Sequence, residues 1–364
     1  MGQTSPAEDD FEVSGPKHMR SKAGADSKII IDWDNEEHRR CVAACLVKGT
    51  CVMENDRTQC RNDKDALAPA WWESFGFIRH QKFINDSDEK DKFTYGAIFR
   101  LIAPSPRPPS APEYVVAFRG TMLYHPKAME ELVQDMWVMF NAVGDFTRFK
   151  RTHPDVDGII NCSDSVWLAG HSLGASMALE IGRNKMLDEK EPRNVLTFLF
   201  NPPHVSPAPV INGVLTGGQK TGLYTTSFAV KFAFANALPG YRQCTKQVFE
   251  QLGPWVPELY VHPGDFICQG YIDYFEQREL VAVDHPRFAS TAARASYRDM
   301  FFYMFSSKKI QPHLLPSARL WKSSSKDGDL PLSTTHGLRQ WWQSNGDLAL
   351  SSTRYGYPRK APHA

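Results

Sequence analysis

The sequence predicts an α/β fold, in which a mixed, mostly parallel sheet has helices on both faces and follows an N-terminal helical extension. Three observations predict it. The short apolar run Val166–Ala169 leads through a glycine-framed turn into an amphipathic helical pattern that continues to Arg183. Other short apolar runs alternate with helical patterns along the chain. The chain has 364 residues, 42% of them hydrophobic, which is enough for a large buried core.

One domain, residues 29–350, accommodates these elements with insertions. Residues 1–28 are polar and offer few apolar anchors, so we expect them to be mobile and without fixed structure. Residues 351–364 are expected to form a loose tail.

The N-terminal helix is predicted over Asp34 to about Asn55, where an acidic start precedes an apolar stripe. Cys41 and Cys45 lie one helical turn apart within it. Because they lack the C-x-x-C spacing of a zinc site, they indicate a packed helix face rather than a metal site.

The sheet is predicted from short apolar segments. Phe93–Ile102 and Glu113–Phe118 flank a proline-rich loop, which favours an antiparallel hairpin. The doubled tryptophan Trp71–Trp72 could line a cleft, but core packing is the commoner use of such a pair. The run Phe228–Leu238 fits either a buried helix or a lid over the site, and both stay open. The remaining predicted elements are the strands Val166–Ala169, Asn194–Phe200 and Glu258–His262 and the helices Met129–Phe140 and Arg287–Phe305.

The turn at the centre of the chain fits the G-x-S-x-G pattern of a nucleophile elbow, with Gly170, His171, Ser172, Leu173 and Gly174. A strand that turns abruptly into a helix crowds its own flanks, so the two glycines meet a demand for small residues. The turn lifts the Ser172 hydroxyl out at the carboxyl end of the sheet. It also points the Leu173 amide, at a helix N-terminus, toward a developing oxyanion.

A serine nucleophile needs a base, and the base needs an acid that fixes its tautomer. In α/β-hydrolases these partners follow the serine in the order acid, then histidine. His336 follows a polar loop and precedes an aromatic helix, which favours it as the base over a surface helix cap. Asp265 lies just past the carboxyl end of the predicted strand Glu258–His262, where active-site residues of open α/β sheets gather. Asp273 and Asp284 are the fallback acids, and His285, His313 and His363 are less suitable bases because they lie beside prolines or in the tail.

Composition and charge exclude several classes of function. The chain carries 42 basic and 41 acidic residues, so its net charge of +1 gives no field that attracts nucleic acid or an anionic membrane. It has no apolar run long enough to span a membrane, and its N-terminus lacks the apolar core of a secretory signal. Seven scattered cysteines, an odd number, suit a reducing compartment. We therefore expect a soluble cytoplasmic protein.

Two motifs together resemble a known family. Phe118–Thr121 (FRGT) followed by Gly170–Ala175 (GHSLGA) is similar to the class 3, or fungal-type, lipases. Most of the chain is similar to a plant branch of lipase-like α/β-hydrolases, some of which carry a GDSL esterase/lipase label although no GDSL motif occurs here. The further segments that carry this resemblance are Phe11–Met19, His38–Arg40, Leu67–Phe77, the Asp265 segment and His336–Trp342.

The resemblance implies an α/β-hydrolase fold and a serine esterase or lipase. Its catalytic triad would be Ser172, Asp265 and His336, and Thr121 and the Leu173 amide would form the oxyanion hole. No metal or organic cofactor would be needed. The segment after Thr121 is not an obvious amphipathic lid, and there is no clear disulfide pattern, which argues against triglyceride digestion at an oil interface.

The predicted function is hydrolysis of a small-molecule or lipid ester through an acyl-enzyme on Ser172. Two other classes stay open. The same triad could pass the acyl group to an alcohol, which would make an acyltransferase, or the fold could serve binding or signalling without turnover. The sequence predicts no nucleic-acid partner, and it leaves peripheral membrane contact and oligomeric state undecided.

Overall fold

The computed structural model describes residues 6–21, 28–85, 92–102, 106–120, 147–204, 231, 236–284, 291, 294–296, 299, 303, 314–323 and 330–357. These ranges contain one eight-stranded sheet whose strands lie side by side in chain order. The strands are β1 (Phe77–Asn85), β2 (Phe93–Leu101), β3 (Tyr114–Phe118), β4 (Val166–His171), β5 (Leu196–Phe200), β6 (Glu258–Val261), β7 (Ala318–Lys322) and β8 (Ser351–Tyr355).

The centre of the sheet is parallel and its two sides are antiparallel. Strands β3 to β6 pair in parallel with one another, and β6 pairs in parallel with β7. The hairpin expected from Phe93–Ile102 and Glu113–Phe118 is confirmed as β2 and β3. Strands β1 and β8 add an antiparallel strand at each end. The sheet is thus mixed and mostly parallel, as the sequence predicts.

Helices lie on both faces of this sheet. The described helices are α1 (Pro6–Asp9), α2 (Phe11–Ser14), α3 (Glu36–Thr58), α4 (Ala70–Glu73), α5 (Thr147–Cys162), α6 (Leu173–Met186), α7 (Pro239–Leu252), α8 (Gly270–Asp284), α9 (Leu332–Thr335) and α10 (Asn345–Leu348). Side chains alternate along β3, so Val115 and Ala117 belong to the core layer under α3. Val116 and Phe118 belong to the opposite layer, under α5, α6 and α8.

Helix α3 confirms the predicted N-terminal helix, with bounds shifted by two to three residues. The Asn35 side chain caps it by accepting a hydrogen bond from the Glu37 amide, so the helix starts there. Cys41 and Cys45 are fully buried against the sheet, as expected of a packed face. Burial raises the pKa of the Cys41 thiol to about 12, so this thiol stays neutral. The doubled tryptophan on α4 also packs in this layer.

For residues 6–21, the structure corrects our expectation of no fixed structure, while residues 1–5 and 22–27 lie outside the described residues. Residues 6–20 form α1, α2 and a short 3-10 turn, and Phe11 is only 2% exposed, edge-on to Trp71. The fully buried Asp9 carboxylate lies 3.0 Å from Lys48 Nζ on α3 and 3.0 Å from Arg61 Nη2. A polar composition misled us because this segment is held by one aromatic side chain and one buried ion-pair cluster.

The expected loose tail is likewise corrected for its first five residues. Ser351–Tyr355 form β8, which pairs with β7 from Lys322 to Ala318. Four of its five residues are exposed and only Tyr355 is buried, stacked on Phe275 of α8. A polar edge strand of this kind has no apolar pattern for the sequence to reveal.

Some predicted elements lie outside the described residues. These are the helix Met129–Phe140, most of the helix Arg287–Phe305 and most of the run Phe228–Leu238. Across the described ranges, no helix is both long and apolar enough to cross a membrane. The same ranges hold no cluster of three His, Cys, Asp or Glu residues that could bind a metal ion.

Replacing Asp9 by Ala is expected to lower the free energy of unfolding by about 3 kcal/mol, because Lys48 would keep a largely buried charge without its ion-pair partner and Arg61 would keep only its ion pair with Asp56. Glu8→Ala is the matched control, since its side chain is exposed on the same short helix and its loss should change stability by less than about 0.5 kcal/mol. Urea unfolding followed by tryptophan fluorescence measures both. Equal midpoints for the two variants would contradict the anchoring role of Asp9.

Candidate active site

The parallel strands end at one edge of the sheet, and a distinctive residue follows each of four neighbouring strands. Gly120 follows β3, Ser172 follows β4, Asn201 follows β5 and Asp265 follows β6. Residues beyond the carboxyl ends of parallel strands converge at the same edge, where open α/β sheets bind their ligands. The fold therefore places Ser172 and Asp265, which were predicted from local patterns, at the same edge of the sheet.

Ser172 has a strained backbone, with φ of 51° and ψ of −125°. A non-glycine residue in such a conformation costs about 1–3 kcal/mol and persists only where its surroundings enforce it. Here the Ser172 amide donates to the Phe200 carbonyl at the end of β5, at 2.9 Å. Leu173 begins α6, so its amide has no partner within that helix. Strand β4 therefore passes into α6 through a single strained residue.

The two elbow glycines are required by close backbone contacts. A Cβ on Gly170 would lie 2.2 Å from the Gly174 carbonyl oxygen, on the first turn of α6. A Cβ on Gly174 would lie 2.4 Å from the Phe118 carbonyl oxygen and 2.6 Å from that of Arg119. Strand β4, the start of α6 and the end of β3 therefore meet with no room for a side chain.

The loop after β3 begins directly beside the nucleophile. A Cβ on Gly120 would lie 2.9 Å from the Ser172 Cβ. The Arg119 backbone amide donates to the Tyr95 carbonyl at 3.0 Å, and its guanidinium donates to the Thr94 and Gly120 carbonyls, which fixes the strand end. Thr121, the predicted oxyanion-hole residue, lies outside the described residues. Its role stays a prediction.

Asp265 and His336 are in direct contact, although 71 residues separate them in the chain. His336 Nδ1 lies 2.7 Å from Asp265 Oδ2, and the Asp265 side chain is completely buried. His336 Nε2 is buried and has no hydrogen-bond partner among the described residues. An imidazole held by a carboxylate at Nδ1 with its Nε2 unoccupied can accept a proton at Nε2, which is what general-base chemistry needs.

The Asp265 carboxylate is surrounded by donors. Its Oδ2 accepts from Asn201 Nδ2 at 2.7 Å and from Cys268 Sγ at 3.1 Å, and its Oδ1 accepts from the Ile267 amide at 3.1 Å. Burial raises the pKa of this carboxyl group, but the charge of His336 and the donated hydrogen bonds outweigh burial. Its pKa is therefore below the ordinary value, and the group is a carboxylate at neutral pH.

The segment that carries His336 is held from both sides. Gln340 Nε2 donates to the Thr335 carbonyl at 2.7 Å and to the Gly337 carbonyl at 2.9 Å, closing the turn around the histidine. From α3, the buried Arg40 guanidinium donates to the carbonyls of Trp341 and Gln343, the latter at 2.8 Å. The helical extension is therefore part of the support for the site.

His171 links the elbow to the base. Its Nε2 donates to the backbone carbonyl oxygen of His336 at 2.8 Å, and the two imidazole ring centroids are 5.0 Å apart. Burial, together with the nearby His336 charge, lowers the pKa of His171 to about 3. His171 is therefore neutral at physiological pH, and it contributes a hydrogen bond rather than a charge.

Of the residues predicted from the sequence, the structure joins Asp265 and His336 directly and links them to the elbow through His171. No hydrogen bond joins the Ser172 hydroxyl to His336 Nε2. The acid in contact with His336 is Asp265, not the fallback Asp273 in α8. Sequence reasoning did not single out Asn201 or Cys268. Asn201 directly follows a predicted strand, as Asp265 nearly does, and that shared position is the signal that could have identified it.

Comparison with named proteins finds a similar protein in Arabidopsis thaliana, which is called a GDSL esterase/lipase. The sequences are 33% identical over 368 residues, covering 95% of this chain and 98% of that protein. No profile of a known protein family matches the chain, and no solved structure matches it. The likeness to the plant protein spans nearly the whole chain rather than the elbow alone.

Gly170→Ala is expected to lower the free energy of unfolding by about 3 kcal/mol, because the added methyl group would overlap the elbow backbone. Gly158→Ala is the matched control: Gly158 is exposed within α5 and a Cβ there would meet nothing within 4 Å. That change should raise stability by about 0.5–1 kcal/mol through helix propensity. Urea unfolding of both variants checks the difference, and a tolerated Gly170→Ala would refute the crowded elbow.

Lowering the pH should destabilise the protein through His171. Its pKa is about 3 in the folded state against an ordinary 6.5, so only the unfolded state takes up a proton between these values. Stability from this group is complete above pH 6.5 and falls as the pH falls, by about 2 kcal/mol between pH 7 and pH 5. Urea unfolding of wild type and His171→Gln at both pH values measures it. The variant should lose less stability, and equal losses would disprove the shift.

Proposed function

We propose that this chain, which belongs to the plant esterase/lipase family of its Arabidopsis relative, hydrolyses carboxylic esters through an acyl-enzyme on Ser172. One observation carries the proposal most directly. His336 contacts the buried Asp265 carboxylate through Nδ1, and its Nε2 has no partner in the described part of the chain. Such an imidazole lies in the segment that His171, the neighbour of Ser172, contacts.

The first step is attack by Ser172. His336 Nε2 takes the proton from the hydroxyl as the oxygen bonds to the ester carbonyl carbon, which gives a tetrahedral intermediate and an imidazolium. Asp265 stabilises this imidazolium and fixes the tautomer in which Nδ1 carries the proton. The lowered pKa of Asp265 keeps the acid ionised for this role.

The oxyanion of the intermediate needs donors that are already in place. The Leu173 amide at the start of α6 is one, since it has no partner within the helix and lies beside the nucleophile. We assign the second donor to Thr121, because it is the next residue in the chain after Gly120, which lies against Ser172. Loss of one such donor typically costs about 10²- to 10³-fold in kcat.

Collapse of the intermediate expels the alcohol, which takes the proton from His336. Water then enters, and His336 removes its proton as the oxygen attacks the acyl-enzyme carbonyl, which gives a second tetrahedral intermediate. Its collapse releases the carboxylic acid as His336 returns the proton to Ser172. The cycle needs no metal ion or organic cofactor. The substrate class is a small-molecule or lipid ester. An added alcohol that accepted the acyl group in place of water would identify an acyltransferase.

A fluorophosphonate probe is expected to label wild-type protein on Ser172, because such probes react with activated serines. Label should be absent from Ser172→Ala and from His336→Ala. Ser176→Ala, which removes a buried hydroxyl one turn along α6, is the matched control and should label normally. Mass spectrometry of the modified peptide identifies the site.

Hydrolysis of p-nitrophenyl butyrate gives the corresponding rates. Ser172→Ala and His336→Ala should each lower kcat by about 10⁴-fold or more, and Asp265→Asn by about 10³- to 10⁴-fold, because the wrong imidazole tautomer would face the serine. Absence of label and of hydrolysis in folded wild-type protein would overturn the enzyme function in favour of a binding role.

A further inference from the structure

Asn201 occupies an unusual position between the elbow and the acid. It directly follows β5, which lies between β4 and β6 in the sheet, and it is completely buried. Its φ of 46° is in the left-handed region, which asparagine tolerates better than most residues. The backbone N–H of Asn201 donates to the Tyr260 carbonyl of β6 at 2.8 Å, which fixes the backbone.

The Asn201 side chain joins three separate parts of the site. Nδ2 donates to Asp265 Oδ2 at 2.7 Å and to the backbone carbonyl of Thr335 at 3.1 Å. Its Oδ1 accepts from the indole Nε1 of Trp341. Thr335 directly precedes His336, and Trp341 follows it by five residues. The Asn201 side-chain amide therefore bonds to the Asp265 carboxylate and to residues on both sides of His336.

We propose that Asn201 is a positioning residue that fixes the Asp265 carboxylate and the His336 segment relative to each other. This role rests on the proposed function, because it assigns Asn201 to the same acid–base pair. Two N–H groups on one nitrogen reach Asp265 and Thr335 at once, so neither the carboxylate nor the histidine-bearing turn can shift alone. The pair thereby keeps the 2.7 Å contact that orients the imidazole.

Cys268 offers a comparison within the same site. Its thiol donates to the same oxygen, Asp265 Oδ2, at 3.1 Å, but it lies three residues after Asp265 on the same turn. Its other contacts are to the His262 and Asp265 carbonyls and to Asn201, so it forms no link to the segment that carries His336. Cys268 therefore contributes only a weak donor to the carboxylate, while Asn201 connects the carboxylate to the segment that carries His336.

The first test does not depend on turnover. The proton between His336 Nδ1 and Asp265 Oδ2 is expected to give a far-downfield NMR resonance, because the hydrogen bond between these atoms is short, and its loss in Asp265→Ala would identify it. Asn201→Gly, which suits the left-handed backbone, should remove this resonance or move it upfield. Cys268→Ala should keep it. An unchanged resonance in Asn201→Gly would overturn the positioning role.

Asn201→Asp serves as a second variant should the glycine variant fold poorly. It keeps the size of the side chain and the oxygen that accepts from Trp341. A carboxyl group carries at most one proton, so it cannot donate to both Asp265 and Thr335 in any ionisation state. The downfield resonance should therefore change in this variant too, and its persistence in both variants would refute the proposal.

The second test separates positioning from general stability by kinetics with p-nitrophenyl butyrate. Asn201→Gly should lower kcat by about 10- to 100-fold and change KM by less than about twofold, because Asn201 orients the base without contacting substrate. In an Asp265→Ala background the same change should have almost no further effect on kcat, since its target is gone. An equal loss in both backgrounds would indicate a merely structural role.

The outcomes for the two proposals are distinguishable. Wild-type protein that neither hydrolyses the ester nor labels at Ser172 refutes the esterase function, while the resonance still decides whether Asn201 holds the Asp265–His336 pair. Wild-type protein that labels and turns over, beside Asn201 variants with unaltered kcat and resonance, refutes the positioning role and leaves the esterase function standing.

Discussion

The turn at Ser172 is the constraint on which the rest of the site depends. Its positive φ forces β4 to run directly into α6, and this is sterically allowed only because Gly170 and Gly174 carry no Cβ. The same close approach brings α6 against the carbonyls at the end of β3, so the loop that begins at Gly120 starts beside the serine. One strained residue thus sets the mutual positions of two strands, a helix and a loop.

A second constraint comes from burying the Asp265 charge. Removing a carboxylate from water costs several kcal/mol unless hydrogen bonds and an opposite charge compensate. Two of its donors, Ile267 and Cys268, come from its own turn, but His336 and Asn201 come from distant parts of the chain. Solvating this one charge therefore requires β5, β6 and the segment after β7 to meet, which makes acid placement a product of the whole fold.

Elements of the fold could be predicted from the sequence where residues close in the chain determine them. The elbow, the strands β2 to β6 and α3 were predictable because glycine spacing, apolar runs and caps act within a few residues. Strands β7 and β8 and the N-terminal segment were missed because they depend on partners far along the chain, as Phe11 depends on Trp71 and β8 on β7. Strand β1 has the neighbouring β2 as its partner, and it was missed because its polar middle, Arg79–Lys82, gives no apolar run. Asp265 and His336 were found from position and order, whereas Asn201 is defined by the contacts it makes across 64 and 134 residues.

Two features near the elbow cost folding free energy without visible compensation, which favours a catalytic role over a purely structural one. Folded proteins satisfy most buried polar atoms, so a buried ring nitrogen without a partner costs stability. His336 uses Nδ1 but leaves a buried Nε2 without a partner in the described ranges, and Ser172, the neighbour of His171, is held in a strained conformation. Both features reduce stability, and neither contributes to packing. The proposed transfer of the serine proton to this imidazole would use both features, since it needs an unoccupied Nε2 and a serine held at the turn between β4 and α6.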